Sequence, residues 1–326
     1  MATNLTNTTF ATTYKDDFAD SDNFHRILFN SGRALQAREL TQSQTIMQRE
    51  MQRFGDNIFK EGAVVRPGGA NINQKFEFVK LDTSINTLPA DISTLVGTSF
   101  TGQTSGVIAK VLEVVAASGS DPATLYVQYT NTSSALAGTS TIRMTNGEDI
   151  NNGSDTLTVQ TTNTTANPAT GVGTQVTLLS GVYYARGHFV FTEDQSKIIS
   201  KYSDSKDTDI GFKAVEEIVT TSDDNDLFDN QGAVPDVSAP GADRYRIRLT
   251  IAERSEVDSD ENFIAIAEIR NGLIYNAVGL TDAYNIPNKL IAERIKENSG
   301  DYIVKPFTIN FAPDSSSTTH LQLRVS

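Results

Sequence analysis

The sequence predicts a mainly β protein of α+β class: one long helix near the N-terminus and an antiparallel β domain carrying an inserted small β-barrel or sandwich. Three observations predict it. Short runs rich in Val, Ile, Thr, Tyr and Phe recur between Gly, Asn, Asp and Pro turn clusters along most of the 326 residues. A single long stretch, 34–60, lacks proline and is rich in helix formers. Between 95 and 180 only seven residues are charged, and Thr, Ser, Gly and Asn dominate.

The composition narrows the function. At about 150 residues per domain the length suggests two domains. Cysteine is absent, which excludes disulfides, thiolate-bound zinc and thiol chemistry. Mean hydropathy is −0.29, and no apolar run approaches the ~20 residues that span a bilayer, so no membrane insertion is expected. The opening MATNLTNTTF has neither a basic nor an apolar signal region, so no secretory signal is expected. The net charge of −13 repels phosphate and argues against nucleic acid as a partner. A binding or structural protein is favoured over an enzyme.

Residues 1–33 read as an extended arm. Its first part is mostly Thr, Asn and Ala; its second carries Phe18, Phe24 and Phe29, more aromatic surface than a short irregular segment can bury against itself. These three are the candidate partner contacts. The helix 34–60 follows, and within it Leu40, Met47 and Phe54 recur every seven residues with Gln44, Met51 and Ile58 at the complementary positions. That is an a/d seam of about three heptads, a short coiled coil with a glutamine that fixes register. These six are the candidate oligomerisation residues, and the Leu40/Met47/Phe54 face is expected to be buried. Packing of the same helix on its own sheet is the competing reading. Gly55 weakens the pattern, by about 1 kcal/mol relative to Ala.

Residues 61–94 and 181–326 form the expected main β-rich domain. Its strands are predicted at 75–81, on both sides of Arg186-Gly187 in the segment 181–200, and at 210–220, 244–252 and 263–270, with an Asn271-Gly272 hairpin turn into 273–278. A second helix is predicted at 287–300, with Pro287 at its first position and Gly300 at its end. A strand with Pro306 covers 303–311, and the terminal LQLRV needs a strand partner. Strands at 106–115, 124–129, 141–144, 156–160 and 175–179 make 95–180 a separable inserted all-β domain.

No catalytic constellation is present. His25, His188 and His320 are the three histidines, and none sits in a triad, metalloprotease or phosphate-loop pattern. Asp223, Asp224, Asp226 and Asp229 form the one carboxylate cluster, but without the spacing of a calcium loop; a solvated loop is expected. No catalytic residue, metal or cofactor is assigned.

The stretch FHRILFNSGRALQARELTQ at 24–42 resembles the opening of a domain-of-unknown-function family found in tail and baseplate proteins of contractile-tailed phages, notably cyanophages and marine T4-like phages. QRFGDNIFKEG at 52–62, GVYYARGHFVF at 181–191, APGADRY at 239–245 and SGDY at 299–302 are similar in the same order. The resemblance implies a virion structural protein without enzymatic activity, made in the host cytoplasm. Its partners would be its own copies, as a homotrimer, and other tail, baseplate or fibre proteins. The alternative is a receptor- or glycan-binding tip that contacts the host surface, with or without glycan-hydrolase activity.

Overall fold

The computed structural model describes residues 10–82, 89, 91–131, 143–229, 236–258, 262–277, 294–295, 309–313 and 321–325. A helical turn α1 (Ala11–Thr13) precedes the long helix α2 (Ala37–Ile58), on whose N-cap the Gln36 N–H donates to the Glu39 carboxylate at 3.1 Å. The strands that follow are β1 (Gly69–Lys80), β2 (Ser99–Gly102), β3 (Ile108–Val115), β4 (Thr124–Asn131), β5 (Asp149–Asn151) and β6 (Thr156–Thr158). Next come β7 (Thr170–Leu179), β8 (Gly181–Ala185), β9 (His188–Thr192), β10 (Gln195–Ser200) and β11 (Thr208–Val219). The later ones are β12 (Phe228–Asp229), β13 (Asp236–Pro240), β14 (Arg244–Glu253), β15 (Phe263–Arg270), β16 (Leu273–Ala277), β17 (Ile309–Pro313) and β18 (Leu321–Val325).

The fold class is as predicted: antiparallel sheets with one long helix. Eight strands pair in the order β10-β7-β1-β4-β3-β2-β5-β6, and four in the order β14-β11-β15-β16. The chain divides into two compact units, Met1–Asp282 and Ala283–Ser326. In the second, β18 finds its expected partner in β17, with Ile309 opposite Val325. Of the predicted second helix only 294–295 are described; the rest, and the 303–308 part of the predicted strand, lie outside the described residues, as do residues 1–9 and His320.

The strands between 95 and 180 share a sheet with the expected main domain. β1, assigned to the main domain, lies between β4 and β7 of the expected insert and pairs with both. The region is therefore part of one continuous sheet, not a separate barrel or sandwich. Nor does that sheet close among the described residues: beyond β6 a single bridge, Val159 to Leu81, returns to the end of β1. The residues 143–144, predicted as strand, are irregular.

One core forms around Leu95, Phe100, Val111, Leu125, Ile150 and Leu157. A second gathers Val176, Leu178, Tyr183, Phe212, Leu249 and Ile266, where β7 and the β8–β9 hairpin meet the four-stranded sheet. β1 joins them: Val79 belongs to the first, Ala70 and Ile72 pack on the second, and Phe76 and Phe78 form a third cluster with Tyr126 between. Gln195 on β10 ties the sheets together, its amide donating to Leu249 O and accepting from Ile251 N, both at 2.8 Å.

Two tight turns position the hairpins. Asn271 and Gly272 take φ of +50° and +71°, as an Asn-Gly turn requires. Arg186 and Gly187 do the same at +52° and +78°, although arginine is disfavoured there. Arg186 is held by its surroundings: its N–H donates to Glu61 (2.8 Å), its guanidinium donates to Asn262 (2.6 Å) and pairs with Glu216 (3.3 Å), and it is buried.

Candidate assembly surface

The helix α2 seats on the β8–β9 hairpin around Gly55. Gly55 is buried beneath the ring of Tyr184, so close that a methyl group there would lie 2.6 Å from the ring. The Tyr184 hydroxyl donates to Asp56 at 2.7 Å, and Phe59 packs against both Tyr184 and Phe189. Thr45 and Ile46 are the other buried residues of the helix. Gly55 thus has a packing role that its low helix propensity concealed.

The strap before α2 is fixed to the helix by polar contacts. The buried Asp16 carboxylate accepts from the Thr45 hydroxyl. Asp17 accepts from Arg38 (3.2 Å) and Gln42 (3.3 Å), Asp20 pairs with Arg53 (3.3 Å) and Arg49 (3.7 Å), and His25 lies 3.8 Å from Glu50. Upstream, Tyr14 donates to Asp243 at 2.6 Å; burial, then that carboxylate, pushes its pKa up to about 12. Phe10 meets Tyr245 edge-on at 5.3 Å. The cavity beside them, about 460 Å³, is lined by Tyr14, Asp16, Gln44, Gln48, Asp243 and Tyr245.

With the strap tied down by its acids, its apolar side chains face outward. Phe24, Leu28 and Phe29 are exposed, and Phe18 is half-buried. On α2 the same holds for the seam. At 100° per residue Leu40, Gln44, Met47, Met51, Phe54 and Ile58 fall within an arc of about 80°, while Thr45 and Ile46 point away from it. Met47 is 73% and Phe54 65% exposed; Leu40, Gln44 and Met51 are exposed, and only Ile58 is partly covered. The expected burial of the Leu40/Met47/Phe54 face is therefore corrected for the single chain: the helix docks through its opposite side and the edge marked by Gly55. Leu28 and Leu35, also exposed, add to the surface.

The flanks of the seam are nearly neutral. Thr41, Gln48 and Gly55 lie on one side and Ser43, Glu50 and Asn57 on the other; Glu50, the one charge, pairs with Arg53 at 2.9 Å. The surface offers apolar area rather than charge. So large a run of exposed apolar side chains is unusual on a monomer.

The candidate chemistry of the sequence stays dispersed. His188 packs near Tyr245, at 5.9 Å between rings, and burial lowers its pKa. Asp223 is satisfied by the Thr220 N–H and hydroxyl at 3.0 and 2.9 Å, and Asp224 accepts from the Asp226 N–H. Among the described residues no three acidic or histidine side chains converge as metal ligands, and no helix is long and apolar enough to cross a membrane.

No curated protein and no solved structure matches the chain. A family pattern does match, over residues 12–112 and 144–326. The match includes much of 95–180 and leaves out residues 1–11 and 113–143. The chain belongs to the DUF4815 family, a domain of unknown function.

Proposed function

We propose that this protein is a virion structural component of a tailed bacteriophage, a baseplate or tail-fibre-network part that joins tail and fibres by protein–protein assembly, as a homotrimer. The observation that carries the assembly reading is the open a/d seam of α2, continued by Phe24, Leu28 and Phe29 on the strap. An apolar stripe of heptad spacing, turned away from its own fold and free of repelling charge, is complementary to a second copy of itself. The phage setting rests on the likeness of 24–42 and the later segments to tail and baseplate proteins. Three-fold symmetry rests on the same likeness, because Met and Phe in the seam choose no oligomer number.

Sedimentation equilibrium of the purified chain tests the assembly. A trimer mass that falls when the seam is altered is expected. A monomer at micromolar concentration, insensitive to the seam, overturns it, and a monomer that retains a polysaccharide favours a glycan-binding tip instead. Deletion of residues 1–30 is expected to abolish incorporation into tails.

A further inference from the structure

We propose that Lys80 and Asn167 become joined by an intramolecular amide bond, formed by the folded chain itself. Lys80 ends β1 and is 3% exposed. Its Nζ donates to Asn167 Oδ1 at 2.7 Å and lies 3.8 Å from the centroid of the Tyr202 ring, with Phe78 beyond at 5.6 Å. A carbonyl bond is about 1.2 Å long, so Nζ stands no more than about 3.9 Å from the Asn167 Cγ, close to the ~3–3.5 Å of a near-attack pair.

The surroundings supply the remaining requirements. Burial lowers the pKa of Lys80, partly opposed by Asp121, so its proton is lost more readily than from an exposed lysine. Asp121 lines the same cavity of about 500 Å³, and the hydrogen bond from Lys201 Nζ at 2.6 Å holds it ionised. Asn167 is fixed by its N–H, which donates to Thr164 O and Oγ1 at 3.1 and 3.0 Å. Pro168 follows it. Proline has no N–H, so the usual loss of ammonia through ring closure on the next backbone nitrogen is blocked and the carboxamide is kept for the lysine.

The step balances without a co-reactant. The Nζ lone pair forms a bond to Cγ, the Cγ–Nδ2 bond breaks, the proton lost from Nζ ends on Nδ2, and ammonia leaves. Asn167 is exposed, so the ammonia departs into water. The product ties β1 to the loop before β7 across 87 residues, a covalent loop closure in a chain without cysteine.

Intact-mass spectrometry of the denatured full chain tests it. The expected mass is one ammonia, about 17 Da, below that of the sequence, with a branched tryptic peptide joining the Lys80 and Asn167 segments. Lys80→Arg and Asn167→Ala should each restore the unmodified mass. A wild-type mass equal to the sequence with cleavage after Lys80 overturns the proposal. So does an ammonia loss that maps to Asn146-Gly147, Asn152-Gly153 or Asn271-Gly272. Both readings use the wild-type chain and do not depend on the variants folding.

Discussion

Gly55 shows how one absent methyl decides the seating of a helix. In an exposed helix, Gly→Ala stabilises by about 1 kcal/mol. Here the added carbon would meet the fully buried Tyr184 ring, and overpacking costs about 1–3 kcal/mol. Gly55→Ala is therefore expected to lower the urea midpoint, and the sign of the change is the test: a rise would mean that Tyr184 yields freely. Glu148 is a second such residue. It is buried and accepts from the N–H groups of Thr104 (3.1 Å), Ser105 (2.9 Å) and Thr145 (2.5 Å) and from the Ser105 hydroxyl (2.9 Å). It closes two loops around one carboxylate. Glu148→Ala strands those donors and should cost on the order of 3 kcal/mol, read as a shift of the denaturant midpoint; a change below 0.5 kcal/mol would mean that water replaces the carboxylate without loss.

At the scale of the element, α2 presents two faces with different physics. The side holding Thr45 and Ile46 belongs to the fold of one chain; the seam is exposed and is the face that associates in the proposed assembly. Met51→Asp is thus expected to leave the unfolding of an isolated chain nearly unchanged, because the site is exposed. In the proposed homotrimer, burial of three unpaired carboxylates between copies would instead weaken assembly, by about 2 kcal/mol or thirtyfold per site at the least. Calorimetry on dilute protein and sedimentation at higher concentration separate the two effects. Loss of the monomer fold in the variant would place the seam in the chain's own core. Gln44→Ile should act the other way, preserving or strengthening association while loosening register or oligomer number, which sedimentation reports as a mixed mass.

At the scale of the molecule, β1 couples everything within Met1–Asp282. It contributes to all three apolar clusters and pairs on both sides, with β4 and β7. Excision of 95–180 with a short linker would leave β1 without either neighbour and β10 without β7, its one ladder partner among the described residues. The expected result is collapse of the remainder, seen as loss of tertiary near-ultraviolet dichroism and of a cooperative melt. A folded remainder would mean that the four-stranded sheet and hairpin suffice alone.

The sequence by itself determined what is local. The long helix, the strands at 263–270 and on either side of Arg186-Gly187, the Asn271-Gly272 turn and the heptad seam were all legible, because periodicity and turn chemistry act between residues near in the chain. The short strands β2, β5, β12 and β13 were not, since two to five residues carry too little pattern. The side of α2 that meets the body also had to await the structure: a heptad stripe serves equally for a sheet or for another helix. Tyr184, more than a hundred residues away, settles it by covering Gly55. Likewise the placement of β1 between β4 and β7 rests on pairings across dozens of residues, and backbone hydrogen bonds carry no sequence label. Only the packing of the whole chain selects those neighbours, because register and strand order are set by which apolar faces can be buried together.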